Sequence, residues 1–211
     1  MLEPLPIAVL VSGAGTNLQA LLDTVHGREA QIVAVASSAA EAPALARAAA
    51  RDVPSAVFAR EGYSGDRGER DEALANWLVA HGTRLVVLAG YMELLSSDFL
   101  RRFPGAVINV HPSLLPAFPG LNAIGQALDY GVQVFGVTVH FVDDGVDTGP
   151  IILQRAVELP EAREQSEVLD ALHPLEHAML GEAVRMFARG ELAIDPADPR
   201  RPRRTDNPSE G

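Results

Sequence analysis

The stretch IAVLVSGAGTNLQALLDTV, residues 7–25, decides the fold. Ile7 to Val11 is a short, unbroken apolar run, the pattern of a strand covered on both faces. Ser12 to Gly15 is rich in turn residues, and Leu18 to Val25 returns to helical spacing, with Thr16 or Asn17 expected as the N-cap. Strand, glycine turn and helix form the opening unit of an α/β sheet.

Working outward, the alternation continues. Ile32 to Ala36 and Ala56 to Phe58 read as strands around a helix from about Ala42 to Arg51, and a third helix covers Asp66 to Val79. Leu85 to Ala89 and Ala106 to Val110 are again short apolar strands. Residues 111–120, HPSLLPAFPG, hold three prolines and a glycine, which forbid regular helix or central strand, so a shaped loop is expected. A helical patch at Asn122 to Asp129, strands at Val132 to Phe141 and Ile151 to Val157, and a long helix from Glu164 to Arg189 complete the pattern. The expected fold is α/β and Rossmann-like: a mostly parallel twisted sheet with helices on both faces, in a single domain over residues 1–194. Residues 195–211, proline-rich and charged without periodicity, read as a disordered tail whose arginines are matched by nearby acids.

Composition narrows the function. A chain of 211 residues, 47% apolar, can bury one substantial core. A formal charge of −11 opposes any broad grip on nucleic-acid phosphates but leaves room for a local anion pocket. The absence of cysteine excludes disulfides, thiolate metal sites and a cysteine nucleophile. No leader of signal-peptide type and no membrane-spanning apolar run is found, so a cytoplasmic protein without membrane association is expected.

Three places can carry chemistry. In SGAGTN, residues 12–17, glycines let backbone amides approach a ligand at a helix N-terminus, which favours an anion; the full GxGxxG fingerprint is absent, and an ordinary tight turn fits the same residues. Asn109 and His111 alternate at the end of a strand and so point to one side, where open α/β sheets gather their ligands. A histidine there can pass a proton and an asparagine can donate to an oxyanion, although a capped strand end serves as well. Asp147, in the loop VDDGVDTGP at residues 142–150, can support the histidine, but Asp143 and Asp144 compete with it and aspartates in turns often only cap amides. His140 reads as structural. His173 and His177 sit at helical spacing without an evident third ligand, so no metal is expected.

Taken together, SGAGTNLQAL (12–21), VVLAGYMELLS (86–96), NVHPSLLPAFPG (109–120), GVTVHFVDDGVDTGPIILQ (136–154) and LEHAML (175–180) resemble, in order and spacing, the phosphoribosylglycinamide formyltransferases. The resemblance runs from Ile7 to about Leu192. It implies transfer of a formyl group from 10-formyltetrahydrofolate, as cosubstrate, to the amine of glycinamide ribonucleotide in purine biosynthesis, a step of one-carbon metabolism. It assigns Asn109, His111 and Asp147 as the catalytic group. It puts the nucleotide on Gly15, Thr16, Asn17, Arg67 and Glu176, and the folate against Met92, Glu93, Leu94, Leu95, Asn109, Val142 and Asp147. A cis peptide before Pro116 is implied, and a homodimer is compatible with the family. Ala117 replaces a basic residue common in that loop, and residues 122–125 lack the histidine or arginine often found there.

Sister folate enzymes share the Asn, His and Asp group. Methionyl-tRNA formyltransferase calls for a further C-terminal domain and formyltetrahydrofolate deformylase for an N-terminal one, and the length of this sequence leads us to expect neither. A non-catalytic nucleotide-binding module is the reading from a different class.

Overall fold

A computed structural model describes residues 3–63, 66–195 and 198–204. The chain forms two compact units, one ending at Ile108 and the other starting at Asn109. The division falls inside a strand, at the position where two groups of elements with different pairing partners meet in sequence.

The first unit runs β1 (Leu5–Val11), α1 (Thr16–Thr24), β2 (Ala30–Ser37), α2 (Ala44–Ala49), β3 (Ser55–Val57), a 3-10 turn at Arg60–Tyr63, α3 (Arg67–Ala80), β4 (Leu85–Leu88) and α4 (Ser97–Arg102). β1 pairs in parallel with both β2 and β4, and β2 in parallel with β3. The reason is legible in burial: Ile7 through Val11 are all fully buried, so neither face of this part of β1 meets water. β5 (Val107–His111) begins in this unit and ends in the next.

The second unit continues with α5 (Ala123–Tyr130), β6 (Val134–Phe141), β7 (Ile151–Glu158), α6 (Gln165–Ala188), β8 (Leu192–Asp195) and β9 (Asp198–Arg204). β6 and β7 pair antiparallel, and only a loop of nine residues joins them, too short for a parallel crossover. The strand order is β3-β2-β1-β4-β5-β6-β7, a mostly parallel seven-stranded α/β sheet with an antiparallel strand at one edge.

Two expectations change. The N-cap of α1 is Gly15, not Thr16 or Asn17, and no side chain caps the helix. Gly15 has φ +72, and a Cβ there would come 2.6 Å from that of Ala44, so the position is closed to other residues by backbone conformation and by the approach of α2. The segment read as a disordered tail from residue 195 instead forms an antiparallel hairpin, with Leu192 opposite Arg204 and Ile194 opposite Pro202. Its prolines are tolerated because a two-stranded ribbon has free edges. Residues 205–211 of that expected tail lie outside the described residues. Finally, α4 follows Ser96, whose hydroxyl accepts from the Phe99 amide at 3.3 Å, a cap the sequence reading passed over.

Candidate active site

In the second unit, β5 ends in Asn109, Val110 and His111, and strand alternation sends Asn109 and His111 to one side. The loop that follows is anchored from below. Thr138 of β6 donates its hydroxyl to the Ser113 carbonyl (2.7 Å) and accepts from the Leu115 amide (3.1 Å) and from the Gln154 amide group (3.0 Å), filling its whole hydrogen-bonding capacity. Gln154 of β7 also donates to the Leu115 carbonyl at 2.8 Å. Gly136 gives Leu114 its seat, because a Cβ there would overlap the Leu114 side chain and the Arg155 carbonyl. The Leu115–Pro116 peptide is cis, as implied by the resemblance.

Fixed at its base, the loop turns back over β5. The Phe118 carbonyl stands 2.9 Å from Nε2 of His111, and the Gly120 amide donates to Oδ2 of Asp147 at 2.7 Å. Both groups thus meet backbone of one three-residue segment, in which Phe118 (φ +52) and Gly120 (φ +80) hold left-handed conformations.

Asp147 reaches the cluster from the loop between β6 and β7, where it too is left-handed, with φ +53. The geometry separates the three aspartates. Asp143 accepts from the Gly145 amide (3.1 Å) and the Thr148 hydroxyl (2.7 Å) and so closes the loop on itself. Asp144 is exposed. Asp147 turns toward the histidines: Oδ2 lies 3.4 Å from Nδ1 of His111, and Oδ1 lies 3.5 Å from Nε2 of His140. Gly149 permits this turn, since a Cβ there would overlap the Phe141 carbonyl oxygen.

Asn109 donates through Nδ2 toward Oδ1 of Asp147 (3.4 Å) and lies 3.2 Å from Nε2 of His140. His140, read from the sequence as structural, lies against this group. Its Nδ1 donates to the Phe141 carbonyl at 2.8 Å, which in the neutral ring leaves Nε2 as the acceptor for Asn109. The signal was present in the alternation: Thr138 and His140 are polar, two apart, in an otherwise apolar buried strand, so both share a face.

The charges follow. Burial works against the Asp147 carboxylate, but it is outweighed by the hydrogen bond to His140, the Gly120 amide and the attraction of His111 and His140, which together hold its pKa at about 2. Asp147 is therefore an anion throughout the neutral range. Both ring nitrogens of His111 face oxygens that only accept, the Phe118 carbonyl and the Asp147 carboxylate, so a ring carrying two protons satisfies both.

The other candidate residues divide by unit. In the second, Glu176 lies buried on α6 and Val142 is half-buried just after β6. In the first, Gly15 and Asn17 are buried and Thr16 half-buried at the start of α1, and Arg67 is exposed in the first turn of α3. Met92 and Leu94 expose 62% and 53% of their surface on the loop after β4, while Glu93 and Leu95 are half-buried there. Beside that loop is a second group that sequence reasoning missed. Arg70, fully buried on α3, donates to Asp71 Oδ1 (2.9 and 2.6 Å), Glu93 Oε2 (2.8 Å) and the Leu94 carbonyl (3.0 Å). Among the described residues no group of three or more His, Asp or Glu is arranged to hold a metal ion, and no helix is long and apolar enough to cross a membrane.

Residues 5–184 match the formyl transferase family. Phosphoribosylglycinamide formyltransferase of Haemophilus influenzae is 40% identical over 190 residues, spanning 89% of each chain. The enzyme of the same name from Bacillus subtilis is 38% identical over 192 residues, 88% of this chain and 98% of its own. Among solved structures, glycinamide ribonucleotide transformylase 1 from Symbiobacterium toebii superposes with a TM-score of 0.91 at 45% identity, covering 96% of this chain and 95% of the other.

Proposed function

Because the chain belongs to the formyl transferase family, we infer that it is a transferase of purine biosynthesis that moves a formyl group from 10-formyltetrahydrofolate to the amine of 5'-phosphoribosylglycinamide. The products are 5'-phosphoribosyl-N-formylglycinamide and tetrahydrofolate, and the site of action is the cytoplasm. The observation that carries the chemistry is the cluster of Asn109, His111, His140 and Asp147 joined at 3.2–3.5 Å.

The amine nitrogen attacks the formyl carbon, the carbonyl oxygen becomes an oxyanion, and collapse of the tetrahedral intermediate breaks the bond to N10. One proton leaves the amine and one arrives at N10, so the reaction needs no net base. Asn109 and the doubly protonated His111 are the donors suited to the oxyanion. For His111 to serve, its Nε2 exchanges the Phe118 carbonyl for the substrate oxygen. Asp147, held at about 2, is a weak proton acceptor at neutral pH. Its part is to supply the fixed negative charge that orients His111 and supports its second proton. His140 orients Asn109, its Nε2 lying 3.2 Å from the amide nitrogen and 3.5 Å from Asp147 Oδ1.

For the substrates' other ends, the start of α1, whose N-cap supplies no side-chain hydrogen bond, suits the phosphate, with Gly15, Thr16 and Asn17 as its seat and Arg67 as a further contact. Glu176 is assigned to the glycinamide amine, and Met92 to Leu95, with Val142, to the folate.

Incubation of the purified protein with both substrates tests this reading. Tetrahydrofolate should form only when the nucleotide is present, one for each formylated product. Release of formate without the nucleotide would instead favour a deformylase.

A further inference from the structure

The loop after β4 is held at alternate positions by its backbone while its apolar side chains face outward. Ser12 Oγ accepts from the Met92 amide at 2.8 Å and is itself hydrogen-bonded to Ser38 Oγ at 2.6 Å. Arg70 donates to the Leu94 carbonyl at 3.0 Å, and Asp71 Oδ2 accepts from the Ser96 amide at 2.6 Å. The Glu93 side chain is drawn down by Arg70 (2.8 Å) and Arg60 (3.2 Å). Tyr91, just before, is buried, its hydroxyl has no hydrogen-bond partner among the described residues, and burial pushes its pKa up to about 12. Met92 and Leu94 are left standing in solvent.

A core arginine and aspartate are costly to desolvate, and a plain turn can be built without them. Arg70 brings five donors in a planar fork, and this geometry fastens one neighbouring carboxylate, one carboxylate 23 residues away and one main-chain carbonyl in a single rigid unit. Such rigidity is needed where exposed apolar side chains must keep one shape before a ligand arrives.

We propose that Arg70 and Asp71 are positioning residues for the folate side of the reaction: they fix the main chain of residues 92–96 so that Met92 and Leu94 form a preformed apolar platform for a flat heteroaromatic ring. The proposal rests on the reading that this loop receives the folate. Neither residue touches the ligand, and both act through the loop.

The test is the kinetics of Arg70→Lys and Asp71→Asn against both substrates, beside Met92→Ala as a direct probe of the platform. Arg70→Lys keeps a buried cation opposite Asp71 but loses the fork, so it serves even where Asp71→Asn fails to fold. In Arg70→Lys the KM for 10-formyltetrahydrofolate should rise about tenfold, with kcat and the KM for the nucleotide within about twofold of wild type. Met92→Ala should raise the same KM. If Met92→Ala raises it and neither clamp variant does, the positioning role is overturned while the folate reading stands. If Met92→Ala leaves it unchanged, the folate reading of the loop fails and takes the inference with it. Equal rises in both KM values alongside a lowered melting temperature would reduce Arg70 and Asp71 to general stability and overturn the proposal.

Discussion

The polar cluster around Asp147 and the one around Arg70 use the same kinds of groups at different distances. The Arg70 contacts run from 2.6 to 3.0 Å, and every one holds main chain or a charge in place. The side-chain contacts among Asn109, His111, His140 and Asp147 run from 3.2 to 3.5 Å, at or beyond the usual range for a good hydrogen bond. The short contacts belong to a structural clamp. The long ones leave donors with capacity for a transition state, where such bonds tighten.

This contrast breaks first at Asp147. Asp147→Asn should lower kcat on the order of 10³-fold or more with substrate KM values little changed, because it removes the charge behind His111. Steady-state kinetics checks it, and near-normal turnover would refute the role. Asn109→Ala should cost on the order of 10²-fold in kcat if its amide serves the oxyanion. Unchanged specific activity with lowered stability would return Asn109 to a strand cap. His140→Phe removes a group that only orients, so a loss of about tenfold in kcat is expected, smaller than at Asn109. A loss as large as that of Asp147→Asn would make His140 a primary participant.

The smallest effect is on stability. The folded-state pKa of Asp147 lies below its ordinary value of 3.8, so its charge stabilises the fold above that value, and the contribution is lost as pH falls through about 2. Denaturant unfolding should therefore show wild type exceeding Asp147→Asn at neutral pH, with the gap closing toward about pH 2. A gap independent of pH would contradict the depressed value.

How far the sequence could be read depended on whether a feature is local. The alternation of apolar runs and helical spacing gave the parallel half of the sheet, because burial on both faces writes an unbroken hydrophobic run for β1 and β4. Asn109 and His111 were visible as a strand-end pair. Asp147 was visible only through the family resemblance, since Asp143 and Asp144 share its local pattern and differ by loop geometry. His140 was set aside as a residue inside a strand, although its spacing from Thr138 puts two polar side chains on one face of β6. Arg70 was hidden because its partner Glu93 lies on another element, and a lone arginine in a helix reads as solvated. The β8–β9 hairpin escaped because β8 has only four residues, β9 carries two prolines, and their pairing carries no periodic signal.

The most direct measurement follows an isotopically labelled formyl group of 10-formyltetrahydrofolate through a single turnover, in wild type and in Asp147→Asn. The expected result is label recovered on the nucleotide amine in both proteins, with the variant slower by on the order of 10³-fold. Label appearing as formate, or equal rates in the two proteins, would contradict formyl transfer to the amine by this cluster.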